Sequence, residues 1–135
     1  MNSAKWLSRL LAIGAVLEIP VGLGLLAAPS QLASLLLGES LSGTGLVVAR
    51  LAGGGLLGLG VACWFARSTP TAPAGLGVAS GLLIYNVVAC VTLALAPLVP
   101  ASQVLTLGAA VLHGLLAVAL LVVLLIRDRA TVLAR

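Results

Sequence analysis

Four apolar stretches of membrane-spanning length fill this chain, at roughly Trp6–Ala28, Gly45–Ala66, Ala74–Ala96 and Val104–Ile126. A helix needs about 20 apolar residues to cross the hydrocarbon core of a bilayer, and each stretch is that long. Inside hydrocarbon every backbone N–H and C=O must be satisfied by the protein itself, which leaves helices or closed barrels. None of the four stretches alternates with the two-residue period of a barrel strand. The expected fold is all-α, an integral membrane four-helix bundle forming a single domain over residues 1–135. With 61% hydrophobic and 7% charged residues, the chain has too little polar surface to coat a soluble domain.

The connections carry their own signals. Ser68-Thr69-Pro70-Thr71-Ala72-Pro73 reads as a short polar turn, and Pro97 to Ser102, with Pro97 and Pro100, as a second. The first connection is longer. Pro29-Ser30-Gln31 opens a candidate helix capped by Ser30, Leu32, Leu35 and Leu36 form one apolar stripe, and Gly38 ends it. The expectation is a short interfacial helix on the outer membrane surface; the alternative is a tilted continuation of the first span. Lys5 and Arg9 precede the first apolar run as in a secretory signal. Glu18 interrupts that run, and Pro29 follows Ala27-Ala28, a poor context for cleavage, so the segment is read as a retained span.

The charge distribution sets orientation and excludes several function classes. A net charge of +4 could suggest nucleic acid, but no basic run with interleaved aromatics exists, and nucleic acid is not an expected partner. Instead Lys5, Arg9, Arg67, Arg127, Arg129 and Arg135 fall on one side of a four-span arrangement, and Glu39 lies on the other with no Lys or Arg. Positive charge stays inside, which puts both termini in the cytoplasm, and Trp6 and Trp64 land at the same inner interface, where indole rings favour headgroup level. The bilayer itself is the first partner, with other membrane subunits or a homo-oligomer as further ones. Cys63 and Cys90 lie within spans and read as packing residues. One His and two Cys make no metal-ligand cluster, so neither metal nor cofactor is expected.

Each span carries one strongly polar residue: Glu18, Arg50, Asn86 and His113. An ionisable group at the bilayer centre costs at least ~2.5–3.5 kcal/mol, so these residues are candidates for function. By helical rise, Glu18 and His113 lie ~13 Å from the outer ends of their spans, Asn86 ~16 Å and Arg50 ~8 Å, and the long Arg side chain could close the difference. The four could therefore meet in one layer, with Tyr85 beside Asn86. Small residues follow the same stripes: Gly14 and Gly22 with Glu18, Gly54, Gly58 and Ala62 with Arg50, Gly77 and Gly81 leading to Tyr85, and Thr106, Ala109, Ala110 and Ala117 with His113. Such stripes let helices approach closely in lipid, so Gly14, Gly22, Gly54 and Gly58 are the expected packing positions. The layer has two readings. Glu18 and Arg50 neutralise each other and hold the bundle together, or the layer surrounds a ligand or proton site. Nothing in the chain supplies a nucleophile motif, so no catalytic residue is assigned and an enzyme is not expected. Gly53-Gly54-Gly55 lacks the strand and the Lys-Ser/Thr of a phosphate loop.

Spans 1 and 3 both close at a proline, in Ala27-Ala28-Pro29 and Leu95-Ala96-Pro97. Aligning the prolines sets Glu18 opposite Asn86, and Arg50 meets His113 if the longer first loop absorbs five residues. That pattern is what a parallel duplication of a two-helix hairpin would leave.

The segments GLGLLAAPSQLASLLLG, from Gly22 to Gly38, and RLAGGGLLGLG, from Arg50 to Gly60, resemble DoxX-like small bacterial membrane proteins and related families of unknown function. The resemblance implies a multi-pass four-helix bundle of the bacterial inner membrane and supplies no substrate. A second likeness is to small multidrug resistance transporters, which also have four spans and an embedded Glu in the first, matched here by Glu18. They favour aromatics near their substrate, whereas this chain has 3% aromatic residues. The leading expectation is a non-enzymatic membrane subunit or small-ligand bundle built around the polar layer. The alternative is a proton-coupled transporter using Glu18.

Overall fold

The computed structural model of the protein describes residues 2–97 and 99–133. Leu98 of the second turn and Arg135 of the basic set lie outside the described residues. Five helices follow one another: α1 (Ser3–Ala27), α2 (Pro29–Leu37), α3 (Thr44–Ala66), α4 (Pro73–Ala94) and α5 (Gln103–Leu133). No strand occurs among the described residues. Helices α1, α3, α4 and the Gln103–Arg127 part of α5 are each long and apolar enough to cross a membrane.

The helix ends follow local chemistry. The Asn2 side chain accepts from the Lys5 N–H at 3.3 Å and caps α1. Pro29 opens α2 in the first turn, where its missing N–H has no partner to lose. Gly38 closes α2 at φ +80°, a left-handed conformation cheap only for glycine, and its N–H returns to the Ser34 carbonyl. The expected short helix is present, but Ser30 is not its cap. Ala28 holds the cap position, because Pro29 is already helical. The Ser30 hydroxyl accepts from Leu41 N–H at 3.1 Å and donates to the Leu41 carbonyl at 3.3 Å, folding the following loop back onto α2.

Helix α1 packs most extensively on α3, and α4 on α5. The first pair meets backbone to backbone. A Cβ added at Gly22 would fall 2.6 Å from the Leu57 amide nitrogen and 2.8 Å from the Gly53 carbonyl oxygen; one at Gly60 would fall 3.0 Å from the Ile19 nitrogen. Any side chain at those positions would push the helices apart, so glycine here is a packing requirement. At Gly14 an added Cβ would lie 2.6 Å from Leu82 Cδ2, which ties α1 to α4.

Two of the four expected packing glycines are corrected. Gly54 and Gly58 are exposed, and an added Cβ at either would meet nothing within 4 Å. Helix α3 instead buries Ala49, Gly53, Gly60 and Cys63. That face lies one residue, about 100°, round from the Arg50–Gly54–Gly58 stripe. The same correction applies to α4, which buries Gly75, Ala79, Leu82 and Asn86 and leaves Gly77 and Gly81 exposed.

The two ends of the bundle differ. Lys5 and Arg9 at the start of α1, Arg67 at the end of α3, and Arg127 and Arg129 late in α5 gather at one end, here termed the basic end. The apolar core sits in that half: Leu7, Leu11, Cys63, Ala79, Leu82 and Leu120 are fully buried in one cluster. At the other end α2 lies across the bundle, touching α1, α3 and α5. The Thr106 hydroxyl donates to the Leu36 carbonyl, and Gly38 packs against Val99 and Ser102, so the base of α5 holds α2 in place.

Candidate functional site

Three of the four expected polar residues converge. Glu18 on α1 is 1% exposed and Asn86 on α4 is 0% exposed. His113 on α5 is half-buried and reaches across to Asn86, with Nδ1 2.8 Å from Asn86 Oδ1. The Asn86 Nδ2 donates to the Leu82 carbonyl of its own helix at 2.8 Å. That bond fixes Oδ1 as the acceptor, so His113 Nδ1 carries the proton and, in the neutral ring, Nε2 carries the lone pair. Tyr85 meets His113 edge to face, with ring centroids 5.6 Å apart and an interplanar angle of 87°. Its hydroxyl faces the Glu18 carboxyl. Asn86 thus positions the imidazole, and the imidazole positions the phenol.

Arg50 does not join them. It is exposed, and among the described residues no ion pair links it to Glu18. The physical reason is the packing of α3. Ala49, not Arg50, faces the bundle, and α1 and α3 are too close for a guanidinium to fit between them. Arg50 lies near the α2 end of its helix, where a long side chain can extend its charge toward the interface and avoid burial. The expected Glu18–Arg50 neutralisation is therefore withdrawn. In the alignment of a duplicated hairpin, Glu18 and Asn86 are both buried, but exposed Arg50 has no counterpart in hydrogen-bonded His113.

Glu18 is left with an unusual environment. Its Oε1 is buried and has no hydrogen-bond partner among the described residues. The side chain borders a cavity of about 390 Å³, together with Tyr85 and His113. The remaining walls are apolar: Leu17, Val21 and Leu25 from α1, Leu56 from α3, Val88, Ala89 and Leu93 from α4, Ala109 and Leu112 from α5, and Leu36 from α2. Thr92 adds one further hydroxyl-bearing side chain. Leu36 brings the cover formed by α2 to the cavity wall. Two wall residues, Val88 and Leu112, are 57% and 44% exposed, and both lie within segments of membrane-spanning length.

Sequence reasoning found the polar members, because an embedded Glu, Asn or His is conspicuous. It did not anticipate Leu36 or Thr92 as wall residues, since neither differs from its many neighbours of the same type. Among the described residues no group of three His, Cys, Asp or Glu side chains converges to hold a metal ion. Cys63 and Cys90 are free; Cys63 is buried in the core, and Cys90 packs against Gly114 of α5.

The fold and the cavity define a small helical bundle of membrane-spanning length with a polar site walled by apolar side chains. No protein-family model, curated protein or solved structure matches the chain.

Proposed function

We propose that this protein is a non-enzymatic membrane protein that binds a lipid-soluble small molecule in the α2-side cavity. The ligand would have an apolar body and a hydrogen-bonding head. The body lies against Leu17, Val21, Leu25 and Val88, and the head meets Glu18, Tyr85 and His113. One observation carries this reading: a buried carboxyl oxygen without a partner, at the wall of an otherwise apolar cavity. An unsatisfied buried polar atom costs about 1–3 kcal/mol, and an incoming hydrogen-bonding group removes that cost. The Nε2 of His113 accepts and the Glu18 carboxyl presents at least one acceptor oxygen, so a head with a donor group is preferred.

The test is mass spectrometry of lipids and small molecules retained by the purified protein. A retained species should be lost from Glu18→Leu and from Ala109→Phe, which fills the cavity. Retention by both variants, or none by the unaltered protein when lipid-soluble hydroxy compounds are supplied, would sink the reading.

A second reading is a proton-coupled transporter of the small multidrug resistance type. The outward position of Arg50 supports it, because no guanidinium competes with a cationic substrate for Glu18. Proton-coupled flux in proteoliposomes, abolished by Glu18→Gln, would establish it over the first. Under either reading we propose that the protein sits in the bacterial inner membrane, as the resemblance to DoxX-like proteins implies, with both termini cytoplasmic, as the basic residues imply, and with other membrane subunits or a second copy as partners. Engineered cysteines near Glu39 and Thr71 should then label from opposite sides.

A further inference from the structure

At the basic end, a second pocket of about 490 Å³ is bordered by Lys5, Ser8, Arg9, Arg67 and Ser68. Three cations share it, and no described Asp or Glu borders it. It forms where α1 begins and α3 ends. The Ser8 hydroxyl donates to the Arg67 carbonyl at 2.8 Å and fastens one helix to the other. The start of α1 adds the positive end of a helix dipole to the same place.

The two arginines are held, not merely near. The Arg67 guanidinium carbon lies 3.7 Å from the centre of the Trp64 ring, and that of Arg9 lies 5.3 Å from the Trp6 ring. Stacking on indole fixes the plane of a guanidinium without neutralising it. The Nε of Arg67 is also buried and has no hydrogen-bond partner among the described residues. A guanidinium held against an indole offers its terminal N–H groups to an anion that presents several acceptor oxygens.

We infer that this pocket binds a phosphate group, with Arg67 as the anchor and Lys5 and Arg9 as flanking charges. Phosphate is tetrahedral, offers oxygens in pairs to a guanidinium, and carries the charge that three cations lack. The headgroup of an anionic phospholipid and free inorganic phosphate share this chemistry. Trp6 and Trp64, whose rings lie against Arg9 and Arg67, are the residue type that marks headgroup level, so a phospholipid is the expected source.

Native mass spectrometry of the whole protein in detergent tests this, with phosphatidylglycerol, phosphatidylcholine and inorganic phosphate as separate probes. Three variants are compared. Arg67→Lys keeps the charge and removes the fork. The pair Lys5→Gln with Arg9→Gln removes two exposed cations and leaves Arg67 in place. Arg129→Gln removes an exposed cation of α5 that does not border the pocket. Phosphatidylglycerol binding should fall roughly tenfold in each pocket variant and stay unchanged in Arg129→Gln, since a charge-assisted bond of this kind is worth about one decade or more in affinity. If the melting temperature shows that Arg67→Lys has unfolded, the double variant decides. A pocket-dependent adduct with inorganic phosphate but not with phosphatidylglycerol would retain the site and change the source. Equal loss in Arg129→Gln, no loss in the double variant, or equal binding of phosphatidylcholine would overturn the inference.

Discussion

Toward the basic end, Leu7, Leu11, Leu82 and Leu120 are fully buried against one another, whereas toward α2 a cavity opens among the helices around Glu18, Tyr85 and His113, although α1 and α3 stay in backbone contact at Gly22 and Gly53. Composition does not separate the two halves, since both are rich in leucine and alanine. The difference lies in what each helix offers at the centre. In the packed half, leucines of α1, α4 and α5 interlock, with Leu82 seated against Gly14. In the open half, Asn86 and His113 hydrogen-bond to each other, and Ala89 and Ala109 are too small to fill the space beside them. A polar pair that must keep its geometry cannot collapse onto its neighbours as leucines do. Rigidity in one half thus supports an opening in the other.

The most damaging change should be Gly22→Leu. Its Cβ has no room against the backbone of α3, so the α1–α3 pair should not assemble, read as loss of a monodisperse species in detergent. Normal assembly would show that the two helices can separate cheaply. Next in size is the contrast between halves. Leu82→Ala should cost about 2–5 kcal/mol by opening a void in the packed half. Leu112→Ala, at the rim of an existing cavity, should cost less than about 1 kcal/mol, because it creates little new void. Equal losses, measured by unfolding in mixed micelles, would erase the distinction. Asn86→Leu should cost about 1–3 kcal/mol, since it strands the Nδ1 proton of His113. It should also weaken ligand retention by freeing the imidazole, and intact retention would remove Asn86 as a positioning residue. The smallest effects belong on the outward face of α3. Arg50→Gln should change stability by no more than ~0.5 kcal/mol. Gly58→Ala should be neutral or add up to ~1 kcal/mol through helix propensity. A large loss in Arg50→Gln would return it to the interior, where the sequence alone had suggested it.

What could be read from the chain depended on how distinctive each residue was. The four spans were plain, because nothing but hydrocarbon suits so many consecutive apolar residues. The short helix α2 was also legible, from Pro29 at its start and Gly38 at its end. Glu18, Asn86, His113 and Tyr85 were found as a group, since polar atoms in a span need partners and partners must be near. Arg50 was misplaced because its length permits two solutions, inward pairing or extension to the interface. Sequence spacing does not choose between them. The glycines of α3 misled for a different reason. With Gly53, Gly54 and Gly55 adjacent, every face of the helix has a small residue, and only the partner helix decides which one is used. On α4 the exposed Gly77 and Gly81 show the same ambiguity, and Asn86 was the better guide to the buried side.

The cavity wall includes Val88 and Leu112, both exposed within segments of membrane-spanning length, and for a lipid-soluble ligand that has a thermodynamic consequence. If the ligand proposed above enters from the bilayer, the concentration that governs its occupancy is its mole fraction in lipid. Two compounds with equal contacts in the cavity would differ in apparent affinity by the ratio of their partition coefficients. Adding empty vesicles would dilute the bound state without any change in the protein. Binding measured against total aqueous concentration would then report membrane volume as much as recognition, and saturation should scale with the lipid-to-protein ratio.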